Sequence, residues 1–402
     1  MIIKEVSFRN FRNIADARIG LSPGTNVLWG NNAQGKTNIL EGIYFFARGR
    51  SFRANAEREL VRFGASDAVA DIVFRRESDS RDTVLGAYIP QSGKKRLTRN
   101  GVALAGVSEM IGDLCAVLFC PDHLSLVAGS PGERRSFLDI AIAQLSPVYI
   151  ANLRRFNHAL DQRNALIKTA AAGERVADET WASFAEVMAE NAAYIAAARY
   201  SYTGYLARYV GKIFGDMTGE REVPEIFYKT HLLPPDENKS DADGATDADE
   251  ASLIHADASG LARSVCDVHA DSSAKEHIKR LLTENTEREI RAGTTLYGVH
   301  KDDITIKLNS LDARTYASQG QTRSLSLAMK LAEGEISRDV YGEYPVFLLD
   351  DVLSELDAER RSFILGALGG RQIIVTSCEP ERYGAWEGCR FIEVEAGRIR
   401  QD

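Results

Sequence analysis

Residues 30–37 read Gly30, Asn31, Asn32, Ala33, Gln34, Gly35, Lys36, Thr37, a complete G-x-x-x-x-G-K-[ST] pattern, followed by Asn38. Two glycines at this spacing let the backbone turn sharply, so that consecutive N–H groups converge on one anion. In such a loop the lysine reaches the β- and γ-phosphates of a nucleotide, and the hydroxyl of Thr37 is a ligand for Mg2+. The context fits: a strand-like run at 25–29 leads in, and an apolar-periodic helix at 38–47 leads out. A glycine-bearing turn without a ligand is the plainer alternative. The expected cofactors are ATP and Mg2+.

A second group of residues supplies what the loop lacks. Val346, Phe347, Leu348 and Leu349 form an apolar run closed by Asp350 and Asp351. In P-loop ATPases the acid that ends this strand holds Mg2+ beside the loop hydroxyl. Asp350 takes that place, and Asp351 is positioned to orient or deprotonate the attacking water. The pair could instead cap a helix. Ser354, Glu355, Leu356 and Asp357 then have the form of the D-loop of ABC-type ATPases. Upstream, Ala317, Ser318, Gln319, Gly320 and Gln321 precede a helix expected from about 322, a helix N-terminus suited to an anion. ABC-type ATPases carry a signature of this kind that contacts the γ-phosphate bound to another protomer; a bare N-cap is the alternative. The order of these four motifs implies a homodimer closing over two ATP molecules.

These residues need a sheet to carry them. Alternation predicts strands at 1–11 (an edge or entry strand), 16–21, 68–75, 83–89, 94–98 and 102–104, with a hairpin at Arg99-Asn100-Gly101. Segments 132–144, 147–172 and 178–214 are rich in Ala, Leu, Arg and Glu and read as helices, the last with a bend at Gly204. Order resumes with a helix at 275–292, strands at 304–308, 345–349, 372–376 and 391–395, and helices at 322–340 and 357–368. Patterning gives an α/β chain, a mixed sheet plus an antiparallel β layer, with an inserted α-helical lobe; the motifs resemble those of ABC/SMC-type P-loop ATPases, which implies that the α/β part is a head of that type. The head spans 1–130 and 295–402, and the lobe 131–294.

With 402 residues, 44% apolar and 26% charged, the chain is ordinary for a globular protein of two or three domains. Its five cysteines, Cys115, Cys120, Cys266, Cys378 and Cys389, have no metal-site or disulfide spacing. No apolar run of about 18 residues is present, and 1–12 lacks the apolar centre of a signal peptide. The expectation is a cytoplasmic protein with no membrane partner. The formal charge of −8 is concentrated in residues 235–260, whose eight acids face Lys239 alone. The rest is nearly neutral and can still present a basic face. Residues 234–273 are too polar to build a core, and read as a disordered acidic insertion. A mimic of DNA is the sharper alternative.

Four passages resemble the RecF family of recombination and gap-repair ATPases related to SMC heads. They are Asn10-Phe11-Arg12-Asn13 with the 30–38 loop; Pro121 to Pro131 continuing to Arg134-Arg135-Ser136-Phe137-Leu138-Asp139; Gly298-Val299-His300-Lys301-Asp302-Asp303; and the Ser318 signature with 349–357. His123 stands where the family usually has an acid, and Val299 and Lys301 replace Pro and Arg. The resemblance implies ATP-dependent dimerisation, binding to DNA at gaps or single-strand–duplex junctions, and slow DNA-stimulated hydrolysis. It also implies cooperation with RecR and RecO in loading RecA during gap repair and the SOS response. An SMC-like structural head, or an ABC-type ATPase outside recombination, is the alternative. Candidate DNA contacts are Arg48, Arg50, Arg53, Lys94, Lys95, Arg96 and Arg99, with Arg134 and Arg135 weaker; for each, a solvated surface charge is the plain reading. Arg48–Arg53 could also meet ATP phosphate, and His300 could sense the γ-phosphate or be a structural histidine.

Overall fold

The computed structural model describes residues 1–232, 253–254, 272–378 and 388–400. The chain forms two compact units, Met1–Ser125 with Ser326–Asp402, and Leu126–Leu325. The chain re-enters the first unit at residue 326 rather than at 295. The reason is the strand Asp303–Leu308, which pairs with Pro224–Lys229 inside the second unit instead of joining the head.

The first unit contains two six-stranded sheets. One is antiparallel, in the order Ile14–Gly20, Ile2–Phe11, Asp67–Arg75, Thr83–Pro90, Arg96–Arg99, Val102–Ala103. Of the edge or entry strand expected, the edge reading fails: the first strand is interior, paired on both sides. It buries Ile3, Val6, Phe8 and Phe11, and a register shift between Ile3 and Glu5 keeps this face apolar despite the uneven spacing. The expected hairpin forms at Asn100 and Gly101, both with positive φ (50° and 80°), as a tight turn between twisted strands requires.

The other sheet runs Arg398–Arg400, Arg390–Glu395, Thr25–Trp29, Ile373–Ser377, Val346–Leu349, Ala116–Phe119, parallel except at its first strand. Val346–Leu349, Ile373–Ser377 and Ala116–Phe119 are buried at every residue, as a doubly covered parallel sheet demands. Ala116–Phe119 was not foreseen, since four apolar residues carry no periodicity to read. Helix Lys36–Arg48 touches strands of both sheets and buries Ile39, Leu40, Ile43, Phe45 and Phe46.

The second unit has helices Pro131–Leu145, Pro147–Ala171, Asp178–Thr218, Ser272–Glu284 and Thr286–Ala292. Asp178–Thr218 is one helix of 41 residues, about 60 Å, that continues through the buried Gly204. The lobe is not purely helical: an antiparallel sheet runs Leu253–Ile254, Pro224–Lys229, Asp303–Leu308, Leu311–Asp312. Apart from Leu253–Ile254 and the first residues of Ser272–Glu284, the acidic segment 234–273 lies outside the described residues. No helix among the described residues is long and apolar enough to cross a membrane.

Buried charge organises this unit. Arg163 and Glu289 are both fully buried and paired at 2.8 Å, with Arg163 also donating to the Leu282 carbonyl and Glu289 accepting from Leu296 N at 2.8 Å. Removing one member strands the other's charge in a low dielectric, whereas removing both does not. Arg163→Met should therefore lower stability by about 3–5 kcal/mol in chemical denaturation, and Arg163→Met with Glu289→Met should recover most of it. A single-variant loss under about 1 kcal/mol would show that the pair is solvated.

Candidate nucleotide site

The 30–37 loop leaves the carboxyl end of Thr25–Trp29, near the centre of the parallel sheet. Gly30 has φ +148°, and a Cβ there would lie 2.3 Å from the Val394 carbonyl oxygen; Gly35 has φ +115°, and its Cβ would meet the Asn13 side chain at 2.7 Å. Both glycines are thus required by conformation and by space. Asn13 Nδ2 donates to Gln34 O (3.1 Å), Asn38 Nδ2 donates to Asn13 Oδ1 (2.8 Å), and Gly397 N donates to Gln34 O (2.9 Å). Lys36 folds back, its Nζ donating to Gly30 O (2.5 Å) and Asn31 O (2.8 Å), with Cys378 Sγ at 3.4 Å. A cavity of about 360 Å³ is lined by residues 32–38, Asn13, Arg53, Asp351, Thr376 and Cys378. A larger recess, about 690 Å³, opens at the amino ends of the same strands, around Thr25 and Ile373. In open α/β sheets ligands bind at the carboxyl ends, where the smaller cavity lies.

Thr37 Oγ1 donates to Asp350 Oδ1 at 2.8 Å. Between their strands runs Ile373–Ser377, and its Thr376 Oγ1 donates to the same Asp350 oxygen (3.0 Å) while accepting from Asp351 N (2.9 Å). Burial pushes the Asp350 carboxyl up, against the hydrogen bonds from Thr37 and Thr376 and the charge of Arg53. Two hard oxygen donors side by side, one a desolvated carboxylate, are the ligand set a small divalent cation prefers. Asp351 is exposed and has φ 53°, a left-handed conformation that turns it from the strand toward the cavity rim.

Several contributing residues carried no sequence signal. Glu41 is fully buried in the loop's helix and accepts two bonds from Arg12, at 2.8 and 2.6 Å. It also accepts from Ser51 Oγ, and that oxygen in turn accepts from Arg53 N (2.8 Å) and Ala54 N (2.7 Å). This chain of bonds sets the loop that brings Arg53 to the cavity, where its Nη1 donates to Asn38 Oδ1 (3.2 Å). Thr376, Cys378 and Asn13 likewise read as ordinary polar residues. Arg12 and Asn13 had a clue in the resemblance of the 10–13 passage to a family start, and Arg53 was already a candidate phosphate contact.

In the second unit, Ser318 N donates to Gln321 Oε1 (2.6 Å), and Gln321 N donates to Ser318 Oγ (3.2 Å). This capping box begins helix Gln319–Tyr341, three residues earlier than expected, and leaves Ser318 and Gln319 exposed. Gln321 Nε2 also donates to Glu222. The 298–303 passage is built into the core: Asp302 bonds Thr230 Oγ1 (2.6 Å), Tyr228 OH and Arg199 (3.3 Å), and Arg199 pairs with Asp139 at 2.8 Å. His300 lies beside Phe156 with Nε2 3.2 Å from Thr295 O, and burial pushes its pKa down to about 4, so it is neutral at pH 7.

The basic candidates sort by geometry. Arg134 is buried against Asp303 (2.7 Å), Arg135 donates to Asp302 O (2.7 Å), and Arg48 is largely buried, its charge disfavoured by desolvation. Arg134 and Arg48 are thus not surface contacts. Lys95 is held by Gly49 O and Glu57, Arg99 by Asp113, and Arg96 stacks on Tyr88 at 4.3 Å. Arg50 and Lys94 are exposed.

Residues 2–397 match the family described as RecF/RecN/SMC N terminal domain. Among curated proteins, the chain is 34% identical to the DNA replication and repair protein RecF of Clostridium novyi (strain NT), over 94% of this chain and 92% of that one. It is 33% identical to RecF of Clostridium botulinum (strain ATCC 19397 / Type A) over the whole of both. Among solved structures, the recombination mediator protein RecF-ATPrS in the RecFOR pathway superposes with TM-score 0.85 at 30% identity, covering 99% and 97% of the two chains. An Smc head domain from Pyrococcus furiosus shares the fold, at TM-score 0.52 and 16% identity. Two sheets about a phosphate-loop helix, the motif order and full-length similarity agree: the chain belongs to the RecF family and has the ABC/SMC-type ATPase head fold.

Proposed function

We propose that this chain is an ATP-driven DNA-binding dimer that acts as a recombination mediator in replication-gap repair. The observation that carries the reading is the 2.8 Å approach of Thr37 to Asp350 beneath a loop whose glycines and lysine are arranged for a triphosphate. Its support from relatives is the full-length similarity to RecF proteins, including one described with ATP.

ATP lies along residues 30–38, with backbone N–H groups on the α- and β-phosphates and Lys36 exchanging the Gly30 and Asn31 carbonyls for the β- and γ-phosphates. Thr37 and Asp350 would hold Mg2+, which would offset phosphate charge. Asp351 orients the attacking water, and Arg53 reaches the phosphates from the rim. One subunit lacks a cap on the γ-phosphate. Ser318, Gln319, Gly320 and Gln321 of a second copy supply it, the exposed amino end of their helix favouring negative charge. ATP thus joins two copies, and hydrolysis removes the group that joined them. The dimer presents Arg50, Lys94 and Arg96 to DNA phosphates at a gap or junction, hydrolyses slowly, and with RecR and RecO promotes RecA loading in the cytoplasm, including the SOS response.

Two variants separate binding from closure. Lys36→Ala should lower ATP affinity by about 100-fold in a fluorescent-nucleotide titration and abolish ATP-dependent dimers. Ser318→Arg should bind ATP normally yet stay monomeric in sedimentation with ATP. If Ser318→Arg also loses nucleotide, the second-copy contact is misassigned. Asp351→Asn should reduce turnover by roughly 100-fold and accumulate a DNA-bound dimer; near-normal turnover would exclude it from orienting water.

A further inference from the structure

The side chain of Phe63 is fully exposed, at 104% relative accessibility, on a backbone held by hydrogen bonds on either side. It occupies the corner of a turn in which Ala65 N donates to Arg62 O (2.9 Å) and Gly64 has φ +84°. The turn is anchored to the end of Ile2–Phe11: Arg62 N donates to Asn10 O (2.8 Å), and Val61 bridges Phe11. A lone exposed apolar residue needs no explanation, so its surroundings decide. Arg50, Arg58, Arg62 and Lys94 are all exposed, and their side chains make no ion pair or hydrogen bond among the described residues. Backbone contacts place them at the same end of the antiparallel layer. Val61 N donates to Arg58 O, Gln91 N donates to Ser66 O (2.9 Å), bringing the 91–95 loop alongside, and Lys95 Nζ reaches Gly49 O (2.6 Å) beside Arg50. The acids nearby are engaged elsewhere, Glu57 with Lys95, Glu59 with Ala56 N, and Asp67 with Ser66 Oγ and Arg9.

An exposed aromatic ring at the same end of the layer as unpaired cations matches a polyanion that also offers flat apolar faces. Paired duplex has its base faces stacked away, so phosphate contacts alone would serve it and the ring would have no use. A single strand exposes both phosphates and base faces. We propose that Phe63 is a stacking platform for an unpaired base of single-stranded DNA, with Arg58, Arg62 and Lys94 on the adjoining phosphates. This rests on the DNA-binding reading above and adds the means by which the single-stranded side of a junction is distinguished from the duplex side.

The test is fluorescence anisotropy of the full chain with ATP, on a gapped duplex and on a continuous duplex of equal length. Phe63→Ala should weaken gapped-DNA binding about tenfold, change duplex binding less than twofold and leave the salt dependence unaltered, because no phosphate contact is lost. Arg62→Ala should weaken both DNAs and reduce the salt slope. Phe63→Trp should keep gapped-DNA affinity, with oligo-dT quenching more tryptophan emission than in the wild type; retained ATP binding shows that the variants fold. Unchanged gapped-DNA affinity in Phe63→Ala overturns the proposal, as does an equal loss on both DNAs. Normal DNA binding with loss of RecR capture also overturns it, making Phe63 a protein contact. A wild type that binds neither DNA sinks the DNA-binding reading itself, whereas wild-type binding with an indifferent Phe63→Ala sinks the stacking alone.

Discussion

Thr37 and Asp350 are 313 residues apart in sequence and 2.8 Å apart in space. The distance follows from strand register in the parallel sheet. Trp29 lies level with Ser377, and Leu349 with Val375, so the carboxyl ends of the three strands finish within two residues of one another. The loop helix begins over one end, the acid closes another, and Thr376 on the strand between them ties Asp350 and Asp351 together. Slipping one strand by a residue would turn every buried side chain to the opposite face, so the site geometry is specified by the same packing that specifies the sheet. An oxygen-rich pocket that is held this way needs little rearrangement to accept a cation and its phosphates.

Around this pocket, buried charge fixes position rather than doing chemistry. Glu41 spends its carboxylate on Arg12 and Ser51, and through Ser51 sets the backbone that carries Arg53. In the second unit, Arg134–Asp303 and Asp139–Arg199–Asp302 join helices Pro131–Leu145 and Asp178–Thr218 to the strand Asp303–Leu308. Two of the four passages that carried the family resemblance therefore meet in one ionic core. Removing any single charge from such a core strands its partners, which gives a physical reason for these residue types without assigning them to catalysis.

Much of this was legible because its causes are local. The phosphate loop, the acid-terminated strand and the Asn100-Gly101 turn each need particular residue types at fixed spacing, and each formed where expected. Glu41 was not legible, since a glutamate within a helix reads as solvated until a guanidinium 29 residues earlier is shown to cover it. Thr376 and Cys378 were invisible for the same reason. Pairing of Asp303–Leu308 with Pro224–Lys229 depends on contacts about 80 residues apart in sequence, which no periodicity reports, so the boundary was drawn too early. The edge assignment of Ile2–Phe11 failed similarly: alternation shows that one face is buried, not how many neighbours the strand has.

In the dimer proposed above, one subunit is an incomplete enzyme, its γ-phosphate left uncapped until a second copy closes. The most direct measurement is ATP turnover per subunit as a function of protein concentration, with saturating ATP and Mg2+. Turnover should rise with concentration, saturate, and track the dimer fraction seen by sedimentation. A rate per subunit that stays constant down to concentrations where only monomer sediments would contradict the account.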